Sequence, residues 1–343
     1  MKASLLESIG HLVMIETPVP EIPRPDWALV QVKATGICGS EIHAFEGNHP
    51  FRKPPAIMGH EMAGVIAKVG PAVQAFSPGD RVFVDPQRFC GECPQCRSGQ
   101  INVCPSKQVL GTADWPGAFG DFVVVPEYTL FHLPDSLSFV EGAMIEPLSV
   151  AVRAVRRAGV DVGMSVAVLG TGSIGGLICG VARVEGAQPV IAADIRAHCL
   201  DTAHERLGAT HRILLPSADA AAEMRRLTQG QGVDVVFICA DSAALVNLGL
   251  EVVKPQGRIV LVALMTTEPV TFMAHQVIRK EIEISSTFAG NEKDVHRALE
   301  LAQSKQIDHT AIVSHQLPVE SAQYGMELAI TKKDKAIKIV LIR

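Results

Sequence analysis

The segment SVAVLGTGSIGG, residues 165–176, constrains this chain more than any other stretch. Gly170, Gly172 and Gly175 stand in G-x-G-x-x-G spacing. A continuous apolar run, Val166–Leu169, leads into the first glycine, and a helical pattern, Gly175–Glu185, follows the last. In that context the glycines permit a tight turn, close approach of the backbone to a pyrophosphate, and close packing of helix on strand. The free N–H groups at the helix start then face the phosphates. The spacing predicts a dinucleotide-binding unit with Ile174 inside the same loop-to-helix turn.

The surrounding texture agrees. Val190–Asp194, Val233–Cys239, Arg258–Leu264 and Glu281–Ser286 read as further buried strands. His198–Leu207, Ala220–Gln229 and Ala243–Val253 read as helices between them. Strands alternating with helices predict a parallel, doubly wound α/β sheet. Such strands are covered on both faces and are therefore continuously apolar. Asp194 lies 19 residues beyond Gly175, at the end of the next strand. An acid there bonds both ribose hydroxyls and repels a 2′-phosphate, which favours NAD over NADP. Arg196 pulls the other way, since an arginine nearby can hold that phosphate.

The first 145 residues have a different texture. Leu29–Ala34, Gly64–Val69, Arg81–Asp85 and Phe122–Val125 are short strand candidates among frequent Gly and Pro. This predicts a mostly β first domain. The expected division is 1–146 with 287–343 as one domain and 147–286 as the dinucleotide-binding domain. The tail after 287 carries one helical pattern, Asp294–Ser304, and a last strand, Ala336–Ile342.

Four of the eight cysteines, Cys90, Cys93, Cys96 and Cys104, fall in C-x2-C-x2-C-x7-C spacing. A secreted disulfide scaffold is shorter and denser in cysteine, so the cluster points to a metal. Four thiolates without an open position make a closed structural zinc site. An iron–sulfur cluster is the alternative chemistry, but the spacing departs from the ferredoxin runs. Cys179, Cys199 and Cys239 read as small buried apolar residues. The net charge of −5 and pI near 6.2 leave no basic footprint for nucleic acid. No apolar stretch is long enough to span a membrane, and the N-terminus lacks the apolar core of a signal peptide. The expected location is the cytoplasm.

GICGSEIH (36–43), GHEMAG (59–64) followed by Gly70, and the cysteine cluster occur in that order before the dinucleotide unit. This arrangement resembles the zinc-containing medium-chain alcohol dehydrogenases over essentially the whole chain. The resemblance implies a GroES-like catalytic domain beside a Rossmann domain, two zinc ions per chain and NAD. Cys38 and His60 match the first two catalytic zinc ligands, and Glu61 matches the adjacent acid, which ligates or exchanges in the family. Ser40 and His43 match the hydroxyl–imidazole proton relay. Val262, Ala263, Leu264, Ser286 and Thr287 correspond to further cofactor contacts. Glu146, in EPLSVA, stands where ethanol-type members carry a cysteine; this resembles the sorbitol dehydrogenase branch. Many members carry Arg or Lys where Cys199 stands, which leaves Arg196 as the candidate for that ribose contact.

The expected chemistry is oxidation of a secondary alcohol on a polyol or sugar acid to a ketose or keto-acid, with zinc acidifying the hydroxyl. The stretch Gly47–Phe51 looks like segments in bacterial sugar-acid dehydrogenases, such as those acting on L-galactonate or L-gulonate. Arg52 and Lys53 follow it; they read as solvated loop charges or as a lure for a carboxylate. Galactitol-phosphate and threonine dehydrogenases are the alternative relatives. A cofactor-binding regulator with little turnover is the alternative of a different class. Relatives assemble through the dinucleotide-binding domain, so a homodimer or homotetramer is expected, with the strand at 281–286 as the pairing edge.

Overall fold

The computed structural model describes residues 1–265 and 269–343. The chain forms two compact units, Met1–Glu146 with Val313–Arg343, and Pro147–Ile312.

The first unit is built on a seven-stranded sheet. Its long central strand, Trp27–Gly36, is buried along nearly its whole length. That strand pairs antiparallel with Glu61–Val69, Phe122–Pro126 and Lys338–Ile342. Register places Gly36 opposite Glu61 on one side and opposite Val340 on the other. Residues 61 and 338, far apart in the chain, are thereby brought to one end of the sheet. A smaller sheet joins Lys2–Ser8, His11–Glu16 and Ala56–Ile57. The hairpin between its first two strands turns at Gly10, whose φ of +77° suits glycine.

The second unit is a six-stranded sheet whose adjacent strands all run parallel. Across it the order is His211–Leu214, Val190–Asp194, Val166–Leu169, Val233–Ile238, Val253–Leu261, Glu283–Ser286. Numbered along the chain this is 3-2-1-4-5-6, the Rossmann order. Val166–Leu169 and Val190–Asp194 are buried at every position, as strands covered on both faces must be. The glycine loop leaves Val166–Leu169 and opens helix Ser173–Val184, beside the point where the strand order reverses.

The expected return to the first unit at residue 287 comes later, at Val313. Helix Glu292–Gln303 holds the intervening chain to the second unit. Asn291 and Asp294 cap its start reciprocally. The buried Asp294 carboxylate also takes Arg153 at 3.3 Å and Arg156 at 2.8 Å, both from helix Ile145–Ala158. A buried acid with two cationic partners is costly to pull away.

Candidate functional site

The site grows from two strand ends in the first unit. Cys38 follows the central strand and precedes the short helix Gly39–Phe45. Glu41 caps that helix, its Oε2 accepting from the Cys38 backbone N–H at 3.0 Å. His60 and Glu61 open the neighbouring strand. Gly59 before them has φ +95°, and a side chain there would run into the Phe119 ring, so this approach requires glycine.

Ligand atoms of Cys38, Glu41 and His60 lie within 4.8 Å of one another, as do those of His60, Glu61 and Glu146. The two sets share His60. Glu146 projects from the first turn of helix Ile145–Ala158. Burial lifts its carboxyl to about 7, with His60 opposing and Glu61 and Asp85 adding. A half-buried carboxyl among other acids is a group that a cation would satisfy. His60 Nδ1 meets Glu41 Oε1 at 2.6 Å. Burial works against a charged His60, but Glu41 and Cys38 outweigh it and raise its pKa well above the ordinary value. Glu41 responds in kind: burial would raise its carboxyl, yet His60 and then Arg52 hold it down to about 2.

Glu61 is held differently. Lys338 Nζ lies 2.7 Å and 2.9 Å from its two oxygens and also donates to the Ile37 carbonyl at 3.1 Å. Both side chains are buried. Burial alone would lower the Lys338 pKa, but Glu61 and Cys38 raise it. A side chain on Gly36 would collide with Glu61, so the bare backbone there makes room for the carboxylate.

Ser40 and His43 lie on the short helix after Cys38. Ser40 Oγ accepts a hydrogen bond from Arg52 at 2.7 Å. His43 Nδ1 is buried without a hydrogen-bond partner, which fits a ring waiting on a cofactor or substrate hydroxyl. Arg52 is not a solvated loop charge: it is 2% exposed and enclosed by polar partners. Lys53 beside it is exposed. Glu41, Arg52 as a buried partner, and Lys338 join the site without having been singled out by motif or spacing. Two signals were present: an acid three residues after Cys38, and a lone lysine at the head of the apolar strand KIVLI.

In the cysteine cluster, Cys90 and Cys104 Sγ stand 3.6 Å apart, Cys90 and Cys96 3.9 Å, Cys93 and Cys104 4.0 Å. A tetrahedral ion with Zn–S bonds near 2.3 Å needs sulfurs about 3.8 Å apart. Backbone N–H groups of Cys93 and Glu92 pull the Cys90 thiol down to about 6, while burial and the neighbouring thiols push Cys96 up. The cluster thus fits a closed zinc site.

In the second unit a cavity of about 480 Å³ is lined by Gly170, Asp194, Arg196, Pro216, Asp241 and Leu245, among others. A side chain on Gly175 would strike the Gly170 carbonyl, so the loop closes only on glycine. Asp194 Oδ2 accepts from the Thr171 backbone N–H at 2.7 Å, while Oδ1 takes the Arg196 N–H at 2.9 Å and Nε at 3.2 Å. Gly172 caps the helix that Ser173 and Ile174 begin. Val262 and Ala263 donate to the Ile238 carbonyl at 3.0 and 3.1 Å, which pins the chain after strand Val253–Leu261 to the next strand's end. Leu264 is exposed there, Ser286 ends the edge strand, and Thr287 is buried with its hydroxyl unpartnered.

Residues 24–135 match the alcohol dehydrogenase GroES-like domain family and residues 173–304 the zinc-binding dehydrogenase family. The chain is 34% identical over 345 residues to sorbitol dehydrogenase of Bacillus subtilis (strain 168), covering 99% of this chain and 97% of that enzyme. The chain belongs to the zinc-dependent medium-chain alcohol dehydrogenases. This dehydrogenase is also 34% identical to a probable D-xylulose reductase A of Neosartorya fischeri, covering 98% of this chain and 95% of that one. A putative zinc-binding dehydrogenase from Sinorhizobium meliloti 1021, solved bound to NADP, superposes with a TM-score of 0.90 at 32% identity, covering 100% of this chain and 99% of that one. The medium-chain dehydrogenase fold is therefore the setting in which both sites stand. Among the described residues no helix is long and apolar enough to cross a membrane.

Proposed function

We propose that this dehydrogenase oxidises a secondary hydroxyl of a neutral polyol to a ketone, with NAD as acceptor. Glu146 carries the reading. It supplies a carboxylate beside His60 where a simple-alcohol enzyme would have a thiol, as the likeness to sorbitol dehydrogenase and D-xylulose reductase also implies. When bound, zinc at Cys38, His60 and Glu146 supplies a Lewis acid to the substrate hydroxyl, and NAD supplies the hydride acceptor.

The chain's own residues do the rest. Glu41 fixes the His60 ring through Nδ1, leaving the other nitrogen for the metal. Ser40 receives the substrate proton and His43 carries it toward solvent. Glu61, anchored by Lys338, remains a flanking carboxylate rather than the third ligand. Arg52 spends its charge on Glu41 and is not free for a substrate carboxylate or phosphate, which favours a polyol over a sugar acid or sugar phosphate. Arg196 is likewise paired with Asp194, so the ribose end presents a fixed acid and disfavours a 2′-phosphate.

A zinc-replete preparation tested with sorbitol, xylitol, hexonates and hexitol phosphates, each with NAD and NADP, decides the matter. NADH should form with a neutral polyol, and faster than NADPH. Turnover of hexonates or phosphates alone would sink the polyol assignment.

The protein acts as a homodimer or homotetramer in this proposal. Edge strand Glu283–Ser286 ends the parallel sheet, and exposed apolar side chains flank it: Phe272, Met273, Ile278 (74% exposed), Ile284 and Phe288. Such an edge invites pairing with a second copy. Ile278→Glu should lower the mass seen by sedimentation. The eight free cysteines suit a reducing compartment, and we place the protein in the cytoplasm.

A further inference from the structure

A buried guanidinium beside a proton path needs a reason, because burying an ion is expensive unless its donors are used. Arg52 uses them on two groups of the site. Nη1 donates to Ser40 Oγ at 2.7 Å and lies 3.0 Å from Glu41 Oε1. Nη2 donates to the Leu110 carbonyl at 3.0 Å, and the backbone N–H donates to His49 Nδ1 at 3.0 Å. The side chain is thus fixed from both ends.

We infer that Arg52 is a positioning residue, setting Ser40 for proton transfer and dividing Glu41 Oε1 with His60. This rests on the dehydrogenase reading of the site. A serine hydroxyl has one proton to give and two lone pairs to receive with. Arg52 occupies one lone pair. Ser40 is then left with one lone pair for the substrate hydroxyl and its own proton for the next group in the path. A permanent cation against Oγ also favours the negative character that Oγ gains as the proton moves on. The second action runs through Glu41. Its Oε1 faces both Arg52 and His60. Without Arg52 that oxygen serves His60 alone, so the ring becomes a stronger donor to the metal.

Two measurements test this, with Arg52→Lys and Arg52→Gln as variants. The first is turnover. Both variants should lower kcat about 10- to 100-fold, a share of what a proton relay contributes, with KM changed little. In a Ser40→Ala background they should cost almost nothing further. An undiminished loss in that background overturns the claim for Ser40. The second needs no substrate: release of metal to a chromogenic chelator, read on the phase that is missing in Cys38→Ala. Arg52→Gln should slow that phase several-fold, toward the 10- to 100-fold scale on which outer partners tune metal sites, and the slowing should vanish with Glu41→Gln. Unchanged or faster release overturns the claim for Glu41. Because this arm is blind to substrate, a wrong polyol assignment leaves it intact.

Discussion

Replacing Lys338 by Met isolates one buried charge. Lys338 Nζ lies 2.7 and 2.9 Å from the two oxygens of Glu61, and both side chains are almost fully enclosed. At that separation and an effective dielectric of 20 the attraction is about 6 kcal/mol. Most of it offsets the cost of taking two ions out of water, so the pair is worth far less than that net. The variant is a different matter. Met fills the space but leaves Glu61 charged, buried and without its cation. Stranding one partner in this way costs about 3–5 kcal/mol. With a guanidinium slope of roughly 3–5 kcal/mol/M, the unfolding midpoint should fall by about 1 M. Both tryptophans of the chain, Trp27 and Trp115, are buried in the first unit with ring centroids 6.3 Å apart. Tryptophan fluorescence therefore follows the unit that holds the pair. Glu61→Gln in the same chain should recover most of the loss, since it removes the stranded charge. A single variant whose midpoint matches wild type, or a double variant no better than the single, refutes the reasoning.

Two further outcomes follow from the site. Cys96→Ser should reduce bound zinc from two ions to one per chain while the second unit still binds NADH; metal analysis that still finds two would remove Cys96 from the ligand set. His49 gives a pH dependence. Burial first, and then Arg52, depress its pKa to about 4, and its Nδ1 accepts the Arg52 backbone N–H. A folded-state pKa below the unfolded value means that protonation favours the unfolded chain. The contribution is complete above about pH 6.5 and is lost as pH falls toward 4, with an upper limit near 3 kcal/mol. His49→Asn keeps an acceptor at that place without titrating. Denaturation at pH 7 and 5 should show a smaller loss for the variant; equal losses count against His49 as the source.

The inner strands Val166–Leu169, Val190–Asp194 and Val233–Ile238 were legible because they are almost continuously apolar and the glycine loop admits few other uses; the edge strand His211–Leu214, with one buried residue, was not. The cysteine cluster was legible for a similar reason: short spacings bring thiols together whatever the rest of the chain does. The hairpin Lys2–Ser8 and His11–Glu16 was not, because its strands carry a broken alternation of buried and exposed residues. The partners of the metal-site residues were harder still. Lys338 meets Glu61 across 277 positions, a pairing that only sheet register creates. Arg52 sits in a run of prolines and charges that reads as surface loop, yet the fold turns its side chain inward. The boundary at 287 failed because a helix with a polar sequence is tied down by one buried acid, Asp294, whose partners lie about 140 residues earlier.

The span between Glu61 and Lys338 has a consequence during synthesis. At about 5–20 residues per second, the ribosome adds the intervening 277 residues over roughly 14–55 s. Throughout that interval the nascent first unit carries its inward-facing acid with no lysine to meet it. The whole Rossmann unit is translated in the meantime and can fold first. The strand that neutralises Glu61 then arrives late and inserts beside the central strand, so a segment made after the Rossmann unit locks one made before it.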